Sequence, residues 1–253
     1  PNNSLWYKLC DEYGIYLIDE TNLETHGTWQ KLGATEPSWN IPGSLPKWKD
    51  AVLDRAKSMY ERDKNHASVL IWSCGNESYC GEDIAAMSEY LRSVDSTRLV
   101  HYEGVTRVPD NKYDYITDME SRMYAKPQEI EEYLKQNTGR PYISCEYMHA
   151  MGNSLGGMSL YIDLEDKYEA YQGGFIWDYI DQAIETKNDD GQTVLAYGGD
   201  CEDRPSDYGF CTNGVIYADR TDSPKVQEMK ALYSNIRMSI KNGNLTVENR
   251  NLF

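Results

Sequence analysis

Short apolar runs of β character alternate with amphipathic segments along most of this chain, and that alternation constrains the fold more than any other feature. The runs are IYLIDE (15–20), SVLIWSCG (68–75), LVHYEG (99–104), DYITDM (114–119), PYISCEY (141–147) and GGFIWDYID (173–181). Between 45 and 63, Leu45, Trp48, Val52, Ala56, Met59 and Tyr60 recur at three- and four-residue spacing, which predicts a helix with one buried face. The same spacing appears in 82–94 through Ile84, Met87, Leu91 and Val94, and in 127–136 through Ile130, Tyr133 and Leu134. A further helix is expected after Asp222, with Ser223 as its N-cap and Pro224 at its first position. Unbroken apolar strands that alternate with helices imply a parallel sheet covered on its outer face.

Two architectures satisfy that pattern, an open doubly wound sheet and a closed (β/α)8 barrel. No glycine-rich phosphate loop follows any strand, which counts against a nucleotide-binding open sheet. The strand ends favour the barrel. Carboxylates stand at or just after nearly every run: Asp19, Glu20 and Glu24, then Glu77, Glu103, Asp118, Glu146, and Asp178 with Asp181. In a closed sheet these converge on one rim, where barrel chemistry is found. The expected fold class is therefore α/β, a (β/α)8 TIM barrel. Only six strands are visible, and 5–13 reads as the helix before the first of them, so the first two strands are expected to precede residue 1. Helical repeats stop near 235. Alternating apolar residues around Lys241-Asn242-Gly243-Asn244 then signal a hairpin. The expected domains are a partial barrel over 1–235 and the start of a β-sandwich over 236–253, with both ends truncated.

Composition narrows the partners. With 25 basic and 41 acidic side chains the formal charge is −16, which repels phosphate backbones and anionic lipid and excludes nucleic acid and membrane as expected partners. A neutral substrate or a bound cation suits such a surface, and 21 Tyr and 6 Trp supply flat amphipathic rings for sugars or for ordinary cores. Six scattered cysteines without a CxxC pair read as buried thiols in a reducing, cytoplasmic setting. No apolar run reaches the roughly 20 residues of a membrane span.

Five motifs carry a resemblance: DETNLETHG (19–27), RDKNHASVLIWSCGNES (62–78), PYISCEYMHAMGNSLGG (141–157), GGFIWDYIDQ (173–182) and YGGDCEDRPSDYGFCTNGVIYADR (197–220). Together, and in this order, they resemble the catalytic barrel of glycoside hydrolase family 2, in the form found in the large bacterial β-galactosidases. The closing hairpin resembles the start of the β-sandwich that follows that barrel. Cleavage of a glycosidic bond needs one carboxyl that gives a proton to the leaving oxygen and one that attacks or stabilises the anomeric centre. The resemblance implies that Glu77 is the acid/base, Glu146 the nucleophile, and the outcome retention, through a covalent glycosyl-enzyme intermediate on terminal β-galactosides.

It further implies that Glu24, His26 and Glu77 surround Mg2+; a histidine in the set also admits Mn2+. Asn76 is implied to bond the sugar 2-hydroxyl, Tyr124 to contact the nucleophile, His149 to hold a substrate hydroxyl and Trp177 to form the floor beneath galactose. Phe210 (through its carbonyl) and Asn213 resemble ligands of a monovalent cation, Na+ in the full-length protein. Glu103 is assigned an orienting role, while His66 and His101 are read as structural. The full-length protein is expected to be a homo-oligomer, and these 253 residues alone are expected to hydrolyse β-galactosides poorly or not at all. The alternatives are a β-glucuronidase or β-mannosidase of the same clan, or a non-catalytic carbohydrate-binding barrel. A glucuronide reader needs a cation for the substrate carboxylate, and no Arg or Lys is placed near the mouth by sequence.

Overall fold

A computed structural model of the chain describes residues 1–28, 40–152, 154–202, 205–206 and 210–251. They fall into two compact units, Pro1–Met123 with Asn137–Cys145, and Tyr124–Gln136 with Glu146–Phe253.

The first unit opens with helix α1 (Ser4–Tyr13). Asn3 caps it by accepting from the Leu5 N–H, and Gly14 ends it in the left-handed region. Strand β1 (Leu17–Glu20) follows, then α2 (Pro46–Asp63), β2 (Val69–Ser73), α3 (Glu82–Val94) and β3 (Leu99–His101). The helical spacing read from sequence is the buried face in both long helices. Val52, Ala56 and Met59 of α2 and Ile84, Met87 and Leu91 of α3 are buried, while Trp48 and Val94 at the margins are exposed at 36% and 38%. These side chains form one core with Trp72 of β2, Val100 of β3 and Tyr102. The three strands are parallel in the order β1-β2-β3, with Glu20 opposite Ser73 and Ser73 opposite His101. Parallel throughout, with one register shift between Leu17 and Ile18, they release their following loops at one edge, which is what gathers the residues beyond each strand. The apolar run of β2 is not buried throughout, since Leu70 is 44% exposed.

The expected strand at 114–119 is displaced. Asp114–Ile116 is a 3-10 turn, and the strand is β4 (Glu120–Met123). Asp118 therefore precedes its strand rather than ending it, and it is no rim carboxylate. Its oxygens take the Arg92 guanidinium at 2.7 Å and the Val100 N–H at 2.7 Å. Ile116, Thr117 and Met119 mimic a strand in sequence because they are buried without forming one, Ile116 within the core of this unit.

The second unit contains α4 (Pro127–Leu134), the end of β5 (Tyr142–Tyr147), α5 (Ser159–Lys167), β6 (Tyr171–Ile176), a hairpin of β7 (Ile184–Lys187) and β8 (Thr193–Ala196), α6 (Lys225–Leu232) and a hairpin of β9 (Ile236–Lys241) and β10 (Asn244–Asn249). Its buried residues include Tyr147, Met158 and Ile162, and, beside them, Ala150, Leu155 and Val215. Helix α6 starts one residue later than its sequence signal, and Ser223 Oγ accepts the Lys225 N–H at 3.3 Å. The β9–β10 hairpin lies where the turn signal placed it. Asn242 and Gly243 take φ of 51° and 77°, the pair of positive values that a two-residue hairpin turn requires. Arg237 and Arg250 both pair with Asp166 of α5.

All six cysteines are free. Cys10, Cys74 and Cys80 are buried as expected, but Cys145 and Cys211 are half-buried and Cys201 is exposed. Among the described residues, no helix is long and apolar enough to cross a membrane.

Candidate active site

Within the first unit, the loops after β1 and β2 run side by side. Asn76 donates its N–H to the Leu23 carbonyl at 2.9 Å and pairs with Glu24 in a parallel bridge. Gly75 makes this approach available. Its φ is +137°, and a Cβ there would lie 2.7 Å from the Leu23 carbonyl oxygen. Immediately beyond it, Glu77 takes a φ of 44°, uncommon for a residue with a side chain.

The geometry brings Glu24, His26 and Glu77 together. His26 Nδ1 lies 2.9 Å from Glu24 Oε1 and 3.0 Å from Glu77 Oε2, and the three donor atoms fall within 4.8 Å of one another. That nitrogen is shielded from solvent, yet it makes no hydrogen bond. A nitrogen that faces two carboxylates without bonding either is arranged as a ligand arranges itself around a shared cation. Two carboxylate oxygens and one imidazole fit a divalent ion of intermediate hardness.

Glu77 is also held from its other side. Glu103, buried at the head of the 3-10 turn Glu103–Arg107, accepts the Glu77 N–H at 2.7 Å. Burial pushes the Glu103 carboxyl up to about 8, and its Oε2 has no hydrogen-bond partner. The orienting role expected of Glu103 has its contact here. Arg107, four residues on, reaches Glu77 Oε1 with Nη2 at 3.1 Å. Sequence reading placed no cation at this point, and the contact corrects it. No local spacing marks it, because the partner of Arg107 is Glu77, thirty positions earlier, and the contact is made by a 3-10 turn.

The second unit assembles the other candidates. Glu146 is next to last in β5, and its carbonyl accepts the Tyr124 N–H at 2.8 Å. The Tyr124 hydroxyl donates to Glu146 Oε2 at 2.6 Å. The backbone of Tyr124 is left-handed, with φ 54°. Rings then follow in series: Tyr124 lies 5.9 Å from His149 and His149 lies 5.5 Å from Phe210. Trp177, 36% exposed, is fixed by its own backbone, donating to Tyr147 and accepting from Ala150. The next residue, Asp178, bonds the Asn213 carbonyl through its N–H at 3.0 Å. Burial raises the Asp178 carboxyl, countered by a bond from Gln182. Asn213 is buried, and its side-chain oxygen has no partner, which suits a hard-cation ligand. Thus Glu24, His26, Asn76 and Glu77 lie in the first unit; Tyr124, Glu146, His149, Trp177, Phe210 and Asn213 lie in the second.

Comparison with known proteins agrees with the motifs. The family model described as glycosyl hydrolases family 2, TIM barrel domain, matches residues 1–238. A β-galactosidase of Clostridium acetobutylicum is 67% identical over 254 residues, covering all of this chain and 28% of that protein. A β-galactosidase of Halalkalibacterium halodurans is 64% identical, covering all of this chain and 25% of that protein. The chain therefore spans about a quarter of the length of these relatives. Among solved structures, a β-glucuronidase of Ruminococcus gnavus superposes with a TM-score of 0.64 at 18% identity, covering 91% of this chain and 43% of that one; the likeness is one of fold. Motifs, strand–helix order and family match agree, and the chain belongs to glycosyl hydrolase family 2, as a TIM barrel domain.

Proposed function

We propose that the complete protein is a retaining β-galactosidase and that this chain carries both of its working carboxyls. The observation that carries the reading is the 67% and 64% identity, over the whole chain, to proteins named β-galactosidase. In the first step Glu77 gives its proton to the glycosidic oxygen as the bond to the anomeric carbon breaks, and Glu146 attacks that carbon. In the second, water attacks the same carbon, displaces Glu146 and leaves its proton on Glu77. Double displacement requires the two carboxyls to stand about 5–5.5 Å apart in the assembled enzyme. The Tyr124 hydroxyl at 2.6 Å from Glu146 Oε2 supports the nucleophile assignment, because a donor there stabilises the carboxylate and fixes its direction. Asn76, His149 and Trp177 are the proposed sugar contacts: a bond to the 2-hydroxyl, a bond to a further hydroxyl, and an apolar floor.

Glu24, His26 and Glu77 would hold Mg2+, or Mn2+, and Phe210 with Asn213 would contribute to a Na+ site. When bound, the divalent ion supplies fixed positive charge beside Glu77. Residues 236–253 are read as the start of a following β-domain. A uronate-specific relative is the second reading, favoured by the Arg107 guanidinium beside Glu77.

One experiment separates these. The complete protein is assayed on nitrophenyl β-galactoside, β-glucuronide and β-mannoside, wild type against Glu146→Gln. Preference for the galactoside, with a loss of at least about 10³-fold in kcat for the variant, supports the proposal. Preference for the glucuronide transfers it to the second reading. Unchanged hydrolysis by Glu146→Gln removes the nucleophile.

A further inference from the structure

The segment Tyr102–Arg107 grips Glu77 and Ser78 at three points. The Tyr102 hydroxyl donates to the Ser78 carbonyl, Glu103 Oε1 accepts the Glu77 N–H at 2.7 Å, and Arg107 donates to Glu77 Oε1 at 3.1 Å. The turn is itself tied down. Thr106 Oγ1 bonds the Glu103 carbonyl at 3.0 Å, and Gly104 lies so close over Tyr102 that a Cβ would meet the ring at 2.6 Å. Arg107 Nη2 also lies 3.2 Å from the Met123 sulfur.

The consequence is a division of labour between the two oxygens of Glu77. Oε2 faces His26 and the cation cradle, and Oε1 faces Arg107. We propose that Arg107 is a positioning residue for the acid/base: by holding Oε1 against the guanidinium while Oε2 stays in the cradle, it fixes the rotamer from which Glu77 transfers its proton. This rests on the assignment of Glu77 as the acid/base. The proton itself moves as already described, from Glu77 to the leaving oxygen and from water back to Glu77. Arg107 neither gains nor loses one, because a guanidinium keeps its charge throughout. An ion pair whose side chains are 32% and 21% exposed contributes little to stability, so geometry is where its effect falls. Arg107 is the one basic side chain of this turn and reaches Oε1 through Nη2, and lysine would keep the charge on a stem of different shape.

The test uses the complete protein and two substrates, methyl β-galactoside, whose leaving oxygen needs a proton, and 2,4-dinitrophenyl β-galactoside, whose leaving group does not. The quantity read is kcat/KM, which reports the first chemical step. Arg107→Ala is expected to lower it about 30-fold on the methyl glycoside and under about 3-fold on the dinitrophenyl one, a fraction of what full general-acid catalysis supplies. Arg107→Lys is expected to recover part of that loss. Glu77→Gln is expected to show the same split more strongly. Equal losses on both substrates for Arg107→Ala, or no loss on either, overturn the proposal while a split in Glu77→Gln leaves the acid/base reading standing. Absence of a split in Glu77→Gln overturns both.

Discussion

His101 is fully enclosed between two hydroxyls, with Nδ1 2.9 Å from Ser73 Oγ and Nε2 2.8 Å from Ser121 Oγ. Burial pushes its imidazole down to about 4. A histidine with a depressed native pKa contributes stability above its unfolded pKa of about 6.5 and loses it as pH falls toward 4. The loss over that window amounts to about 3 kcal/mol. Asp19 works in the opposite sense. Burial pushes its carboxyl up to about 7, with the Tyr7 hydroxyl bonded at 2.6 Å, so the folded state holds a proton that the unfolded chain releases, and stability falls as pH rises from about 4 to 7. His101→Gln isolates the first effect. The difference in Tm between wild type and variant is expected to shrink as pH is lowered from 7.5 to 4.5, and a difference that stays constant would show the imidazole carries no such charge penalty. At this scale the sequence exposed what a motif can hold. The roles proposed for Glu24, His26, Glu77 and Glu146 came from the resemblance of whole motifs, and of these only Glu77 and Glu146 were legible as carboxylates that close apolar runs. Arg107 was not, because its importance comes from a turn that folds it back on a residue thirty positions earlier.

Elements were legible where their periodicity is strong. Helices α2 and α3 carry long apolar stripes, and β2, β5 and the β9–β10 turn carry dense local signals. The reading failed where burial imitates a strand, as at Ile116–Met119. It also missed short or exposed elements with little apolar pattern: α5, and the β7–β8 hairpin whose β7 residues are all exposed. One residue just beyond β2 sets how closely the loops after β1 and β2 approach. A methyl group at Gly75 must displace the Leu23 carbonyl or the Asn76–Glu77 step, and its backbone φ is unfavourable for alanine. Gly75→Ala in the complete protein is therefore expected to cost about 1–3 kcal/mol of stability and roughly 10²-fold in kcat/KM, the penalty of shifting the proposed acid/base by about 1 Å. Thermal melts and steady-state kinetics check both, and a variant with full activity would show that Glu77 does not depend on this crossing of loops.

At the scale of the molecule, the chain is a family 2 barrel domain that spans about a quarter of its β-galactosidase relatives, and its proposed chemistry is divided between two carboxyls in two structural units. The proposal rests on a general property of such barrels: parallel strands deliver their following residues to one edge, so strand-end acids far apart in sequence can serve one site. The most direct measurement of this claim traps the intermediate. The complete protein is incubated with an activated 2-deoxy-2-fluoro-β-galactoside, digested, and mapped by mass spectrometry. A single fluorogalactosyl group on the peptide carrying Glu146, formed in wild type and absent in Glu146→Gln, is the expected result; a label on Glu77 or on any other residue would contradict it.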